Sequence, residues 1–116
     1  MTRQPKESDG KLNIPQGTLD LMILTIVRRE PLHGYGIAQR LKLLSQDVLQ
    51  VGESSLYPAL QRLLLDGYID SEWGPSENNR RARYYTLTKA GQKYLAAERS
   101  EFNEVVSAIY RVLEKA

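Results

Sequence analysis

The side chains best suited to chemistry lie between Ser54 and Thr88, and their types point to recognition of a polyanion. Arg80, Arg81 and Arg83 crowd beside a turn-rich loop. A guanidinium is always charged and offers a rigid fork of donors that matches phosphate oxygens. Just upstream, Ser54, Ser55, Tyr57, Pro58, Gln61 and Arg62 lie off the line of a leucine run. Such groups can hydrogen-bond base edges or phosphates if the segment enters a major groove. Each feature has a plainer reading. The polar residues have the composition of any solvated helix face, and arginines at a hairpin tip can simply keep a sheet edge soluble. Together, as a helix followed at once by a basic hairpin, they have the order of a winged helix-turn-helix. In that arrangement Ser55 and Gln61 would read bases and Tyr57 would be shared between base and phosphate. The arginines would supply mainly sequence-independent affinity along the backbone or in a minor groove.

These residues need a helix and a hairpin to hold them. Ser54 and Ser55 are candidate N-caps, and Pro58 is then expected in the first turn, where its missing N–H costs little. Leu56, Leu60, Leu63 and Leu64 recur at i, i+4, i+7 and i+8, which makes one apolar stripe. Gly67 follows as the expected stop. The spacing then predicts strands over Tyr68–Trp73 and Arg81–Leu87 around a turn-forming loop at residues 74–79. One register puts Ile69, Tyr85 and Leu87 on one face, with Trp73 beside Arg81 or Arg83 in cation–π range. A slip of one residue would reverse the faces.

Composition excludes several classes. With 116 residues the chain has room for one domain and a modest core. It has no cysteine, so disulfides, thiolate metal sites and cysteine nucleophiles are ruled out. The longest apolar run, Leu21–Val27 broken only by Thr25, is far too short to span a bilayer. No charged-then-apolar leader opens the chain, so a cytoplasmic protein without membrane contact is expected. No nucleophile–base pair, phosphate loop or metal-ligand spacing is present, so neither an enzyme nor a cofactor is expected. The single histidine, His33, stands beside a turn and is expected to hydrogen-bond structurally. The formal charge of +2 is small, but it is polarised. Arg80, Arg81, Arg83, Lys89 and Lys93 cluster, while Glu98, Glu101, Glu104 and Glu114 mark the final helix.

Residues 1–13 read as a flexible polar arm that could also reach DNA through Arg3, Lys6 and Lys11. A first helix is expected from about Gln16 to Arg29. Leu19, Met22, Ile23, Ile26 and Val27 form one face, while Leu21 and Leu24 add a second. Apolar on most sides, it needs cover from two directions, by another subunit or by the C-terminal helix. After Pro31 and two glycines a second helix is expected, with Ile37, Leu41 and Leu44 on one face. Its N-terminus, with the Tyr35 hydroxyl alongside, could meet a phosphate. A short extended piece over Val48–Val51 leads to the polar helix. The last helix is expected from Thr88, a candidate N-cap, nearly to Ala116. Leu95, Phe102, Val105, Ile109 and Val112 follow at steps of 7, 3, 4 and 3, close to a coiled-coil seam that Val106 and Leu113 widen. Glu98 interrupts it.

The expected fold class is α+β, mainly α with a β-hairpin wing. A winged helix-turn-helix at residues 14–88 precedes a long dimerisation helix at 89–116. The chain resembles the PadR family of bacterial transcriptional regulators, in its short form, over most of residues 14–116. The matching pieces are Gly17-Thr18-Leu19-Asp20, His33-Gly34-Tyr35-Gly36-Ile37, Leu56-Tyr57-Pro58-Ala59-Leu60 and the run from Arg80 to Thr88. The resemblance implies a homodimer, joined by the last helix with help from the first, that represses from a palindromic operator on double-stranded DNA. Carried over by position, it puts Tyr57 and its neighbours in the recognition helix, Tyr35 and the wing arginines on DNA. The dimer face would comprise Leu21, Leu24, Leu95, Phe102, Val105, Val106, Ile109, Val112 and Leu113. One departure is Ser54, where the family often has glycine. Some relatives bind a small planar or hydrophobic effector through an aromatic on the last helix. Here Phe102 and Tyr110 could substitute, or could pack in the seam. The competing function is a winged-helix module that binds proteins.

Overall fold

In the computed structural model, which describes residues 12–14 and 16–116, the chain runs through eight elements. They are β1 (Leu12–Asn13), α1 (Gln16–Arg29), α2 (Gly34–Leu44), β2 (Leu49–Gln50), α3 (Glu53–Leu65), β3 (Ile69–Pro75), β4 (Arg81–Leu87) and α4 (Lys89–Lys115). Helix α1 supplies much of the core. Leu19, Ile23, Leu24, Ile26 and Val27 are buried, and Leu21 and Met22 are half-buried against the same cluster. Its cover comes from its own chain, since α1 touches α2, α3, β4 and α4. This corrects two interface expectations. Leu24 is 0 % exposed and Leu95 is 2 % exposed, so both are spent on the chain's own core.

Helix α2 begins at His33, whose Nδ1 accepts from the Gly36 N–H at 3.0 Å, a structural role of the kind its position predicts. Ile37 and Leu41 are buried, but Leu44 is 67 % exposed, contrary to expectation. It is the helix's last residue, and a turn with Gln46 and Asp47 at positive φ leads the chain away from it. The chain then enters β2, which pairs in parallel with β1 through Leu12↔Leu49 and Asn13↔Gln50. Leu12 and Asn13 are thus a strand, although the sequence put them in the arm. Residues 1–11, with Arg3, Lys6 and Lys11, lie outside the described residues.

Helix α3 starts earlier than its serines suggest. Gly52 is the N-cap, with φ −91 and ψ 167 and no side-chain bond, and its carbonyl accepts from the N–H groups of Ser55 and Leu56. Ser54 and Ser55 therefore sit inside the first turn, and Pro58 falls in the second. There it withholds a donor from the Ser54 carbonyl. The stripe buries Leu56, Ala59, Leu60 and Leu63, with Leu64 half-buried. The helix stops as expected at Gly67, whose φ of +80 suits a residue without a Cβ. The Tyr68 N–H bonds the Leu63 carbonyl and the Gly67 N–H bonds the Leu64 carbonyl, a paired C-terminal cap.

The hairpin register runs from Ile69↔Leu87 to Pro75↔Arg81. Gly74 and Pro75 belong to β3, so the loop is shorter than expected. Ile69 and Tyr85 are buried and Leu87 is half-buried on the inner side, the register anticipated above. On its other edge β4 pairs with Leu32 through two backbone bonds to Tyr85, which ties the hairpin to the approach to α2. At its base, Thr88 caps α4 by accepting from the Gly91 N–H and donates to the Gly67 carbonyl. Tyr68 stacks on Tyr94 at 4.1 Å between ring centroids. Burial raises the Tyr94 hydroxyl above its ordinary pKa, with the nearby charge of Glu98 adding to it. Among the described residues, no helix is long and apolar enough to cross a membrane. None of their His, Asp or Glu side chains gather into a group that could hold a metal ion.

Candidate nucleic-acid interface

Burying the leucine stripe turns the polar side of α3 outward. Ser54, Ser55, Tyr57, Pro58, Gln61 and Arg62 are all exposed. Helical spacing centres that face on Ser54, Pro58 and Gln61, with Tyr57 at one margin and Ser55 and Arg62 at the other. Leu65 continues the same face and is 86 % exposed, as its place off the leucine stripe requires. Arg62 differs from the rest because its Nη2 donates to Asp20 of α1 at 2.9 Å, which draws it toward the domain's own body.

Tyr57 joins the two helices of the helix-turn-helix. A Cβ on Gly34 would stand 2.8 Å from the Tyr57 Oη and 3.1 Å from two ring carbons. Glycine at that point lets the ring lie against the first turn of α2. Tyr35, on the next position, is well exposed and its hydroxyl accepts from Gln39 Nε2 at 2.9 Å. No sequence signal announces the contact between Gly34 and Tyr57, because it depends on how two helices cross.

The wing carries different chemistry on its two faces. Ser71, Trp73, Arg81 and Arg83 share the face that becomes the core side at Ile69 and Tyr85, whereas Asp70, Glu72 and Tyr84 lie on the other. Trp73 sits directly opposite Arg83, and the guanidinium carbons of Arg81 and Arg83 stand 4.9 and 5.8 Å from its ring centre. Arg83 is held further by its Nε and Nη2, which donate to Ser71 Oγ at 3.2 and 2.7 Å. Arg80 belongs to the loop, where its carbonyl accepts from the Ser76 N–H and hydroxyl.

Two residues outside the expected set connect wing and helix. Glu77 in the wing loop places Oε1 3.5 Å from His33 Nε2. A hydrogen bond from its own backbone N–H, then one from His33, holds the Glu77 carboxyl below the ordinary carboxylate range against a small opposing effect of burial. The His33 ring also tilts against Tyr84 at 5.3 Å, and Tyr84 donates to the Pro75 carbonyl at 2.6 Å. Wing tip, approach segment and the start of α2 thus form one connected patch.

The second half of α4 leaves this body. Beyond Leu95, the stripe of Phe102, Val105, Ile109, Val112 and Leu113 is exposed, with Val106 half-buried. Nothing in the described chain covers it. Between α1 and α4 lies an open cleft of about 600 Å³ lined by Arg28, Gln92, Arg99 and Asn103.

This arrangement is shared with known proteins. The sequence pattern of the PadR-like transcriptional regulator family matches residues 23–97. An uncharacterised protein of Lysinibacillus sphaericus is 29% identical over 102 residues, which cover 88% of this chain and 94% of that one. A transcriptional regulator from Clostridium thermocellum superposes with a TM-score of 0.76 at 29% identity, over 83% of this chain and 93% of that one. A PadR-like transcriptional regulator from Bacillus cereus superposes with a TM-score of 0.74 at 25% identity, over 87% and 96% of the two chains. With a winged helix, an outward polar helix face and a family match across most of its folded length, the chain belongs to the PadR-like family and is a DNA-binding transcriptional regulator.

Proposed function

We propose that the protein is a homodimeric repressor that binds a palindromic operator, with residues 14–88 as the reading head and α4 as the element joining two copies. The observation that carries this reading is the outward polar face of α3 together with a basic wing in which Arg81 and Arg83 lie 4.9 and 5.8 Å from the Trp73 ring centre. In this reading Ser55 and Gln61 contact base edges, and Tyr57 divides its contacts between base and phosphate. Ser54, Pro58 and Tyr35 approach the backbone near the helix starts. Arg80, Arg81 and Arg83 neutralise phosphates. Arg62 would reach DNA only by leaving Asp20, so it is the weakest member of the set.

The uncovered stripe on α4 supports dimerisation. Two such helices pairing through Phe102, Val105, Val106, Ile109, Val112 and Leu113, with Leu21 alongside, would remove several large apolar side chains from water. A two-fold pair would present two recognition helices, ideally about 34 Å apart, to successive major grooves on one side of the duplex. A palindromic site is the sequence counterpart of that symmetry.

The test is titration of the purified protein against the DNA upstream of its own gene over a range of salt concentrations. Preferential binding over unrelated duplex, a steep inverse salt dependence and two protomers per site are expected. An intact dimer with no preference for that DNA would overturn the operator reading.

A further inference from the structure

We propose that Trp73 is the positioning residue of the wing, ordering Arg81 and Arg83 so that they meet the DNA backbone as one preformed cationic pair. This rests on the DNA-binding reading above and names how the wing would serve it. Two guanidiniums on one face of a single strand repel each other, and each long side chain loses conformational freedom when it is fixed. Both costs would normally fall at the moment of binding. Here the negative face of one indole attracts both cations, at 4.9 and 5.8 Å, while Ser71 Oγ accepts two hydrogen bonds from Arg83.

The position of the ring supports this role over simple packing. Trp73 is 58 % exposed, so a large apolar surface stays in water at the outer half of the hairpin. The core face of the hairpin ends lower down, at Ile69 and Tyr85. Trp73 sits on the arginine face, and the acidic Asp70 and Glu72 are both on the opposite one. The wing therefore offers a polyanion one consistent face, and the indole is its platform.

Trp73 is the only tryptophan in the chain, so its emission reports on the wing without any labelling. In a titration of the unmodified protein with duplex from upstream of its own gene, the emission should change and the ring should become protected from acrylamide. Trp73→Leu should weaken binding about tenfold and flatten the salt slope, whereas Trp73→Phe should restore most of both. Phenylalanine keeps the ring quadrupole and leucine keeps only the bulk, so a merely structural role would not separate them. If the unmodified protein binds that duplex with Trp73 emission unmoved, or if the leucine variant binds as tightly as the phenylalanine one, this inference fails alone. If the protein binds no duplex, the DNA-binding assignment fails with it.

Discussion

Glu77 is the one acidic side chain among the groups that connect the wing to the start of α2, and it faces His33 Nε2 at 3.5 Å. An anion held near the N-terminus of a helix occupies a favourable place, and an incoming phosphate would compete for the same surroundings. Glu77→Gln should therefore strengthen binding to duplex DNA by about two- to fivefold, read as a lower Kd at fixed salt. Unchanged or weaker binding would refute the competition. Because the folded carboxyl is held below its ordinary pKa, any stability it contributes is present above the ordinary carboxylate range and is lost as pH falls through the lowered value. A second prediction separates the two kinds of contact. Arg81→Ala should weaken all duplexes about equally and flatten the salt slope by about one unit, while Gln61→Ala should chiefly blunt discrimination between operators. An Arg81→Ala variant altered only in specificity would reverse the assigned roles. At this scale the sequence was informative about type. It singled out the polar face of α3, the arginines and the cation–π partner of the wing. It was silent on Glu77, on Ser71 and on the engagement of Arg62 by Asp20, because each partner lies far away along the chain.

Elements were legible where a local rule decides them. The periodicity of α1, the stop at Gly67 and the cap at Thr88 all depend on near neighbours, and all are found as expected. The start of α3 is not legible in its hydroxyl side chains, because Gly52 caps it through backbone conformation alone. Gly91 shows the same limit in reverse. An exposed helix usually gains about 1 kcal/mol from glycine-to-alanine exchange. Gly91, however, is buried near the start of α4, where a Cβ would collide with the Tyr68 carbonyl oxygen and come within 2.7 Å of a Leu87 methyl. A backbone atom cannot swing aside as a side chain can. Gly91→Ala should thus destabilise the fold by about 1–3 kcal/mol, measured by denaturant or thermal unfolding. A raised midpoint would mean that α4 does not seat on the base of the hairpin as described.

The longest helix has two environments along its length, buried near its start and exposed further along, and a pair of substitutions can tell what each part does. Toward its start α4 is built into the core through Gly91 and Leu95, while further along it carries a stripe that its own chain leaves open. Heptad spacing alone cannot separate these parts, because Leu95 and Ile109 stand on the same seam; only the elements around each residue decide what covers it. Leu95→Ala should therefore act on folding, costing about 2–5 kcal/mol, since it empties a site inside one chain. Ile109→Lys should leave folding of the reading head nearly unchanged, because that side chain is 50 % exposed in the single chain. It would instead place a charge in the seam of a dimer, so sedimentation should report monomers. Operator affinity should then fall about a hundredfold or more, because the second recognition helix would no longer be delivered by the first. Binding to unrelated duplex should fall much less, since each wing still meets phosphates one copy at a time. A lysine variant that stays dimeric would move the interface elsewhere on the molecule. One that becomes monomeric yet binds its operator undiminished would show that two-fold delivery of the recognition helix adds nothing to recognition.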